Sequence, residues 1–230
     1  VNGTLSTNRR TNAWYDRFAA FYDVALDGVY AAHRKRAVQA LGVAPNMTVV
    51  DVGCGTGASL PLLRAAVGEH GRVVGVDASP GMLRKAEALV RRRSFHNVEL
   101  LQVGTEATSI AAIAARVGRI DRVLCFLSLS VIEPWQLVLN GWLDALPEGG
   151  VLTIADVHNP RPGPYARLVE LIARATLARK SWEPLQERTT NFRLEWEPSS
   201  RLLGGAFFLA SGTVMRGPAR DGLVKRYTTG

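Results

Sequence analysis

The chain has 230 residues, and its 28 lysines and arginines against 20 aspartates and glutamates give a formal charge of +8. Hydrophobic residues at 47% and charged residues at 21% are the usage of an ordinary folded protein and exclude a disordered chain. No apolar run approaches the ~18 residues that span a bilayer. The first residues lack the apolar core of a secretory signal, so the expected location is cytoplasmic. Cys54 and Cys125 offer neither a disulfide framework nor a CxxC metal pair, so reduced thiols and no metal are expected. The positive charge would suit an anionic partner, but it is scattered. Its densest run, Arg91 to Arg93, closes a predicted helix, where cations suit the helix dipole, and nucleic acid is therefore a disfavoured partner.

In chain order, Trp14 to Leu41 reads as one or two amphipathic helices, with Trp14, Phe18, Phe21, Tyr22, Leu26 and Tyr30 on packing positions. Short β-branched or apolar runs then alternate with helical spacing. Val49 to Val52, Val73 to Val76, Val98 to Val103, Ile120 to Phe126 and Val151 to Val157 have strand character. Leu60 to Val67, Gly81 to Arg92, Ile110 to Val117 and Trp135 to Leu146 lie between them as helices. This alternation predicts an α/β fold with a doubly wound, parallel sheet covered on both faces. A helix over Tyr165 to Lys180 follows. Two further runs, Phe192 to Trp196 and Ala206 to Ser211, are positioned to make an edge hairpin. Nothing divides the chain, so residues 1–230 are expected to form one domain. In it, 1–46 is a helical cap, 47–158 a ligand-binding core, and 159–230 an acceptor-side helix with the terminal strands.

The first predicted strand runs into VVDVGCGTG, with glycine at 53, 55 and 57 at the edge where doubly wound sheets bind ligands. Gly53, Gly55 and Ala58 also satisfy a dinucleotide-binding spacing, so the glycines alone do not choose a ligand. Asp51 does choose. A carboxylate at the strand's mouth repels a pyrophosphate but attracts the ammonium of an amino-acid-like ligand, which favours S-adenosylmethionine over NAD. Asp77 ends the second strand, where its oxygens suit ribose hydroxyls; alternatively it caps the helix beginning near Pro80. Met82, one turn into that helix, is placed either to cover adenine or to fill the core.

Together, VVDVGCGTG, VVGVDASPGML, IDRVLCFLSLSVIEPW and LPEGGVLTIAD resemble class I S-adenosylmethionine-dependent methyltransferases over roughly Trp14 to Val157. YDRFAAFYDVALDGVY and SLSVIEPW look most like the small-molecule branch that includes quinone and phospholipid methyltransferases. The resemblance implies a mostly parallel, seven-stranded Rossmann-like sheet, with S-adenosylmethionine as cofactor and S-adenosylhomocysteine as product. By it, Asp51, Gly53, Cys54, Gly55 and Gly57 line the methionine end, Asp77 and Ala78 hold the ribose, and Phe126 and Ser128 face the methyl group. The family often carries Gly-Asp after the third strand. Here the sequence is Val103-Gly104-Thr105-Glu106, which leaves Thr105 or Glu106 for adenine, or backbone alone.

His158, two residues after Asp156 at the end of the fifth strand, is the base candidate. Strand alternation puts the two side chains on one side, where the carboxylate could orient the imidazole. The competing reading has His158 merely opening a polar loop. Tyr15 and Tyr22 are candidates for closing over the methionine or the acceptor, or are packing residues. His33, His70 and His96 read as surface positions. Arg161, Arg167, Arg174 and Arg179, interleaved with Leu168, Leu171 and Ile172, suit a small amphiphilic acceptor with an anionic head, and they leave peripheral membrane contact open. An RNA methyltransferase, an NAD(P)-dependent reductase and a non-catalytic cofactor binder are the competing functions. The reductase would require a Tyr-x-x-x-Lys pair that the sequence lacks.

Overall fold

The computed structural model describes residues 28–103, 107–200 and 204–216. Among these, seven strands form one sheet: β1 (Thr48–Val52), β2 (Arg72–Asp77), β3 (Val98–Gln102), β4 (Arg122–Phe126), β5 (Val151–His158), β6 (Thr189–Ser200) and β7 (Gly205–Val214). Their order across the sheet is β3-β2-β1-β4-β5-β7-β6. The first five are mutually parallel, and β7 enters antiparallel between β5 and β6. This is the mostly parallel, seven-stranded Rossmann-like sheet expected from the sequence, with a single antiparallel hairpin.

The helices are α1 (residues 28–40), α2 (Leu60–Val67), α3 (Pro80–Arg92), α4 (Ala107–Val117), α5 (Trp135–Ala145), α6 (Pro164–Ala173) and α7 (Glu183–Arg188). Local chemistry sets their ends. Ser79 caps α3 through its hydroxyl, which accepts from Met82 N at 3.2 Å, and Pro80 follows at the first helical position. Gly68 ends α2 with φ of 71°.

Strand alternation divides the core in two. Val50, Val52, Val74, Val76, Val123, Cys125, Leu152 and Ile154 pack with Ile110, Leu139, Trp142, Trp182 and Leu185 from α4, α5 and the α7 region. On the opposite face, Val49, Val73, Leu124, Phe126, Ala155 and Val157 meet Tyr30, Ala37, Leu41, Leu60, Leu63, Ala86 and Ala166 from α1, α2, α3 and α6. The central strands β1, β2, β4 and β5 are therefore largely apolar on both sides. That is why the sequence shows short continuous apolar runs instead of alternation.

The C-terminal part departs from the sequence expectation. The helix expected over Tyr165 to Lys180 stops at Ala173, where Arg174 turns left-handed with φ of 51°. The chain then straightens because its backbone finds other partners. Leu177 N donates to Glu170 Oε1 at 2.9 Å, and Thr176 N donates to Ser130 O at 2.8 Å. A separate short helix, α7, follows. The edge hairpin forms, with β6 reaching from Thr189 to Ser200, well beyond the predicted run. The fourth strand starts at Arg122 instead of Ile120; just before it, Asp121 N donates to Thr48 O at 2.9 Å, and its carboxylate takes the Thr48 N–H that would otherwise extend the ladder.

Among the described residues Trp142 is the largest fully buried side chain, facing from α5 into the core against the sheet. Trp142→Ala is expected to cost about 3–5 kcal/mol of unfolding free energy, measured by urea denaturation.

Candidate functional site

The carboxyl ends of β1, β2, β4 and β5 converge on one edge of the sheet, and the glycine turn leaves β1 there. Its path is fixed from below: Gly53 N and Cys54 N both donate to Val76 O, at 2.8 and 3.0 Å. Asp77 completes the tie. Its Oδ2 accepts from Gly55 N at 2.9 Å and its Oδ1 accepts from Ser79 N at 2.8 Å. Asp77 is therefore not the helix cap, which is Ser79; it is the clasp between the two motifs. Burial raises its pKa, and the backbone N–H donors pull it part of the way back.

Gly53, at φ of 68°, lies so close to the β4–α5 loop that a Cβ there would stand 2.6 Å from Ser128 Cβ. Gly55, at φ of 56°, faces open space, with nothing within 4 Å of the corresponding position. The turn is thus pressed against Ser128 on one side and open on the other, which leaves its backbone accessible to a ligand. Gly57 is a packing residue, hemmed by Leu60, Ala86 and Leu89. Cys54 is buried and its thiol pKa is pushed up by burial, so it contributes packing and backbone. Ala78 is exposed beside Asp77, and Met82 is half-buried on the first turn of α3.

Asp51 lies just beneath the turn and is 1% exposed. Its Oδ2 is buried without a hydrogen-bond partner among the described residues. Burial raises the carboxyl pKa to about 7 against an ordinary 3.8; the Arg34 charge pulls it down and Asp77 pushes it up. A buried carboxylate oxygen with no donor is costly, and an incoming cationic donor would relieve that cost. Arg34 reaches this place from α1, only 9% exposed, with its guanidinium carbon 5.0 Å from the centre of the Phe126 ring. The sequence reading did not single it out. Its signal was faint: an arginine in register with Tyr30, Ala37, Val38 and Leu41 on the buried face of α1.

Phe126 ends β4 inside an aromatic group with Tyr30 and Phe207, at centroid distances of 6.3 and 6.1 Å. Ser128 is 2% exposed, against the glycine turn. Asp51, Arg34 and Phe126 all sit on the sheet face covered by α1.

The pairing expected between Asp156 and His158 does not form. Asp156 Oδ2 accepts from Ser130 N and Oδ1 from Ser130 Oγ, both at 2.9 Å, and Oδ1 also accepts from Val157 N. The carboxylate therefore holds the β4–α5 loop. Burial raises its pKa to about 6. His158 Nδ1 instead meets Arg179 O at 3.0 Å, and its ring packs edge-on to Trp182 at 4.9 Å and near Trp196 at 5.8 Å. It is 8% exposed, and burial lowers its pKa. These contacts make His158 a packed anchor on the α5 face, turned away from Asp51 and Phe126.

Arg179 is likewise committed: it donates to Leu129 O at 2.7 Å and Ile132 O at 2.8 Å, and pairs with Glu133. It straps the β4–α5 loop and is not available to an acceptor. Leu168 and Leu171 point outward, at 50% and 73% exposure, so they line no pocket. His33, expected at the surface, is drawn in against Phe207 at 4.3 Å and Glu197 at 2.8 Å. Tyr15, Tyr22, Thr105 and Glu106 lie outside the described residues. Among the described residues, no cluster of histidine, cysteine, aspartate or glutamate could hold a metal ion.

Residues 44–196 match the methyltransferase domain family, over most of the core just described. The chain belongs to that family. Two curated proteins are among those similar to it. A demethylmenaquinone methyltransferase from Desulfitobacterium hafniense is 36% identical over 94 residues, 39% of this chain and 37% of that protein. An arsenite methyltransferase from Halobacterium salinarum is 26% identical over 197 residues, 78% of this chain and 49% of that protein. The chain thus spans less than half the length of either. Among solved structures, geranyl diphosphate C-methyltransferase from Streptomyces coelicolor, crystallised with S-adenosyl-L-homocysteine, superposes with a TM-score of 0.64 at 15% identity, covering 80% of this chain and 77% of that one. The methyltransferase family is an S-adenosylmethionine-dependent one, and the open glycine turn, the orphaned Asp51 oxygen and Asp77 fit that cofactor.

The contact between Gly53 and Ser128 is testable. Gly53→Ala should cost roughly 2–3 kcal/mol of stability, from the left-handed φ and the overlap together. Adding Ser128→Gly should recover part of that loss in thermal denaturation, because it removes the overlap and leaves the φ cost.

Proposed function

We propose that this chain transfers the methyl group of S-adenosylmethionine to a small, amphiphilic acceptor. The observation that carries the reading is the buried, donorless Asp51 oxygen beside an open glycine turn, in a chain of the methyltransferase domain family. Asp51 would take the ammonium of the cofactor's amino-acid end and Arg34 its carboxylate. The two charges of α1 and β1 then meet the two charges of the ligand. Gly53 and Gly55 would lie along the methionine chain, Asp77 would accept from the ribose hydroxyls, and Ala78 and Met82 would flank the adenosine. Phe126 and Ser128 would wall the methyl group.

Bound there, the cofactor supplies an electrophilic methyl group on a sulfonium, whose leaving sulfur departs as a neutral thioether. The protein's part is alignment and water exclusion, supplied by Phe126, Tyr30 and the strapped β4–α5 loop. His158 acts in this scheme as an anchor. An apolar acceptor with a polar or anionic head agrees with the chain's +8 charge, and with the names of relatives that act on demethylmenaquinone and geranyl diphosphate.

Calorimetric titration with S-adenosylmethionine and S-adenosylhomocysteine, with NAD as control, is the test. Micromolar binding of the first two alone is expected, and binding of NAD alone would refute the proposal. Ionised Asp51 attracts the ammonium, so affinity should rise with pH through about 7 and fall by up to about tenfold per pH unit below it. Asp51→Asn should remove this pH dependence and weaken binding. The same substitution should stabilise the ligand-free protein above neutrality: an ionised carboxyl raised from 3.8 to about 7 costs the fold roughly 4 kcal/mol, which builds up as pH climbs between those values. His158→Ala should lower the melting temperature and leave kcat within a few-fold of the parent. A thousandfold loss of kcat in a folded variant would restore His158 as the base.

A further inference from the structure

The observations reach furthest on α6. Of the six large apolar side chains that are exposed among the described residues, three stand on this one ten-residue helix: Tyr165 at 52%, Leu168 at 50% and Leu171 at 73%. Their spacing of three residues lines them along a single outward stripe. The helix is otherwise well seated. Ala166 is buried in the core cluster that holds Phe126 and Tyr30, and Ala166 and Val169 flank the position of Gly204 in the β6–β7 turn. The stripe is therefore a deliberate outer face and not the flank of a loose helix.

Charge surrounds it with one sign. Arg161, Arg167 and Arg174 are exposed before, on and after α6. The helix's only acidic residue, Glu170, is turned to its own chain, accepting from Leu177 N at 2.9 Å. An apolar stripe fringed by arginines and shielded from its single carboxylate is complementary to a bilayer surface carrying anionic headgroups: the stripe enters the acyl boundary while the guanidiniums meet phosphates. The location gives this a purpose. The helix follows β5, whose carboxyl end lies on the same edge as the glycine turn, and it packs on the sheet face that carries Asp51 and Phe126.

We propose that α6 docks the protein peripherally on anionic membranes, and that the acceptor is drawn from the bilayer to the sheet edge that carries the glycine turn. The second half of this statement rests on the proposed methyl-transfer function. The first half stands apart from it, because binding to vesicles needs no turnover.

The test is sedimentation of the full chain with vesicles of phosphatidylcholine, with and without phosphatidylglycerol. Expected is binding that requires phosphatidylglycerol and weakens as salt is raised. In Leu168→Asp/Leu171→Asp, and separately in Arg167→Glu, the bound fraction should fall by at least tenfold. Affinity for S-adenosylhomocysteine and the melting temperature should stay at parental values, which shows that the fold and cofactor site are intact. Failure to bind phosphatidylglycerol vesicles would overturn the proposal, as would binding unchanged in the variants. A parent that is dimeric by light scattering and becomes monomeric on Leu168→Asp/Leu171→Asp would also overturn it, by giving the stripe to a second copy. Loss of the methyl-transfer reading would appear elsewhere, as absent cofactor binding by the parent protein.

Discussion

Everything at the candidate site depends on the hydrogen bonds that fasten the first turn to the end of the second strand. Gly53 and Cys54 both give their N–H groups to Val76, and Gly55 gives its own to Asp77. A turn with glycine at alternate positions has little conformational preference of its own and loses more freedom on folding than any other stretch of similar length. Without these bonds it would sample many paths. With them it follows one, which presses against Ser128 and leaves the Gly55 side open. The parallel pairing of β1 with β2 brings Val76 and Asp77 under the turn, so the crossover through α2 sets the geometry of the site.

A second consequence of this arrangement is that the site is built at the expense of the resting fold. Among the described residues no donor reaches the second oxygen of Asp51, and burial lifts its pKa to about 7. Arg34 relieves part of that cost by charge. A cationic ligand group would relieve more, so cofactor binding and stability of the fold are linked through one carboxylate. The aromatic group of Tyr30, Phe126 and Phe207 lies beside this pair and excludes water from the same pocket of the core. That raises both the cost of Asp51 and the strength with which it would hold a partner.

Much of this was legible in the sequence, for identifiable reasons. The strands of the parallel core are apolar on both faces, so runs such as VVDV and RVLCF stand out without any alternation to detect. The glycines and acids sit at strand ends, where local chain position alone implies shared location on one edge. What was not legible depended on partners far away in the chain. Nothing near His158 announces that Arg179 O, Trp182 and Trp196 would enclose it, and nothing near Asp156 announces that Ser130 would claim both its oxygens. Strand alternation correctly set the two side chains on one face, but sharing a face did not bring them into contact. The helix break at Ala173 was hidden for the same reason, because the groups that end it, Glu170 and Ser130, compete through side chain and tertiary contact and not through a proline or glycine. Arg34 escaped notice because an arginine on an amphipathic helix is ordinarily a solvated one.

The reversal of β7 leaves β6 as the last strand of the sheet, and a twelve-residue strand with one side open is a template on which another chain can grow. The α1 side of that strand carries Arg193, Glu195 and Glu197 in succession. Glu195 and Glu197 are gripped by Arg36, and Glu197 also by His33. A foreign strand approaching this rim would have to lay its own side chains alongside carboxylates already engaged with a helix. The ion pairs that fasten the N-terminal helix to the hairpin thus also act as a hem, closing the fabric of the sheet against unravelling into aggregates.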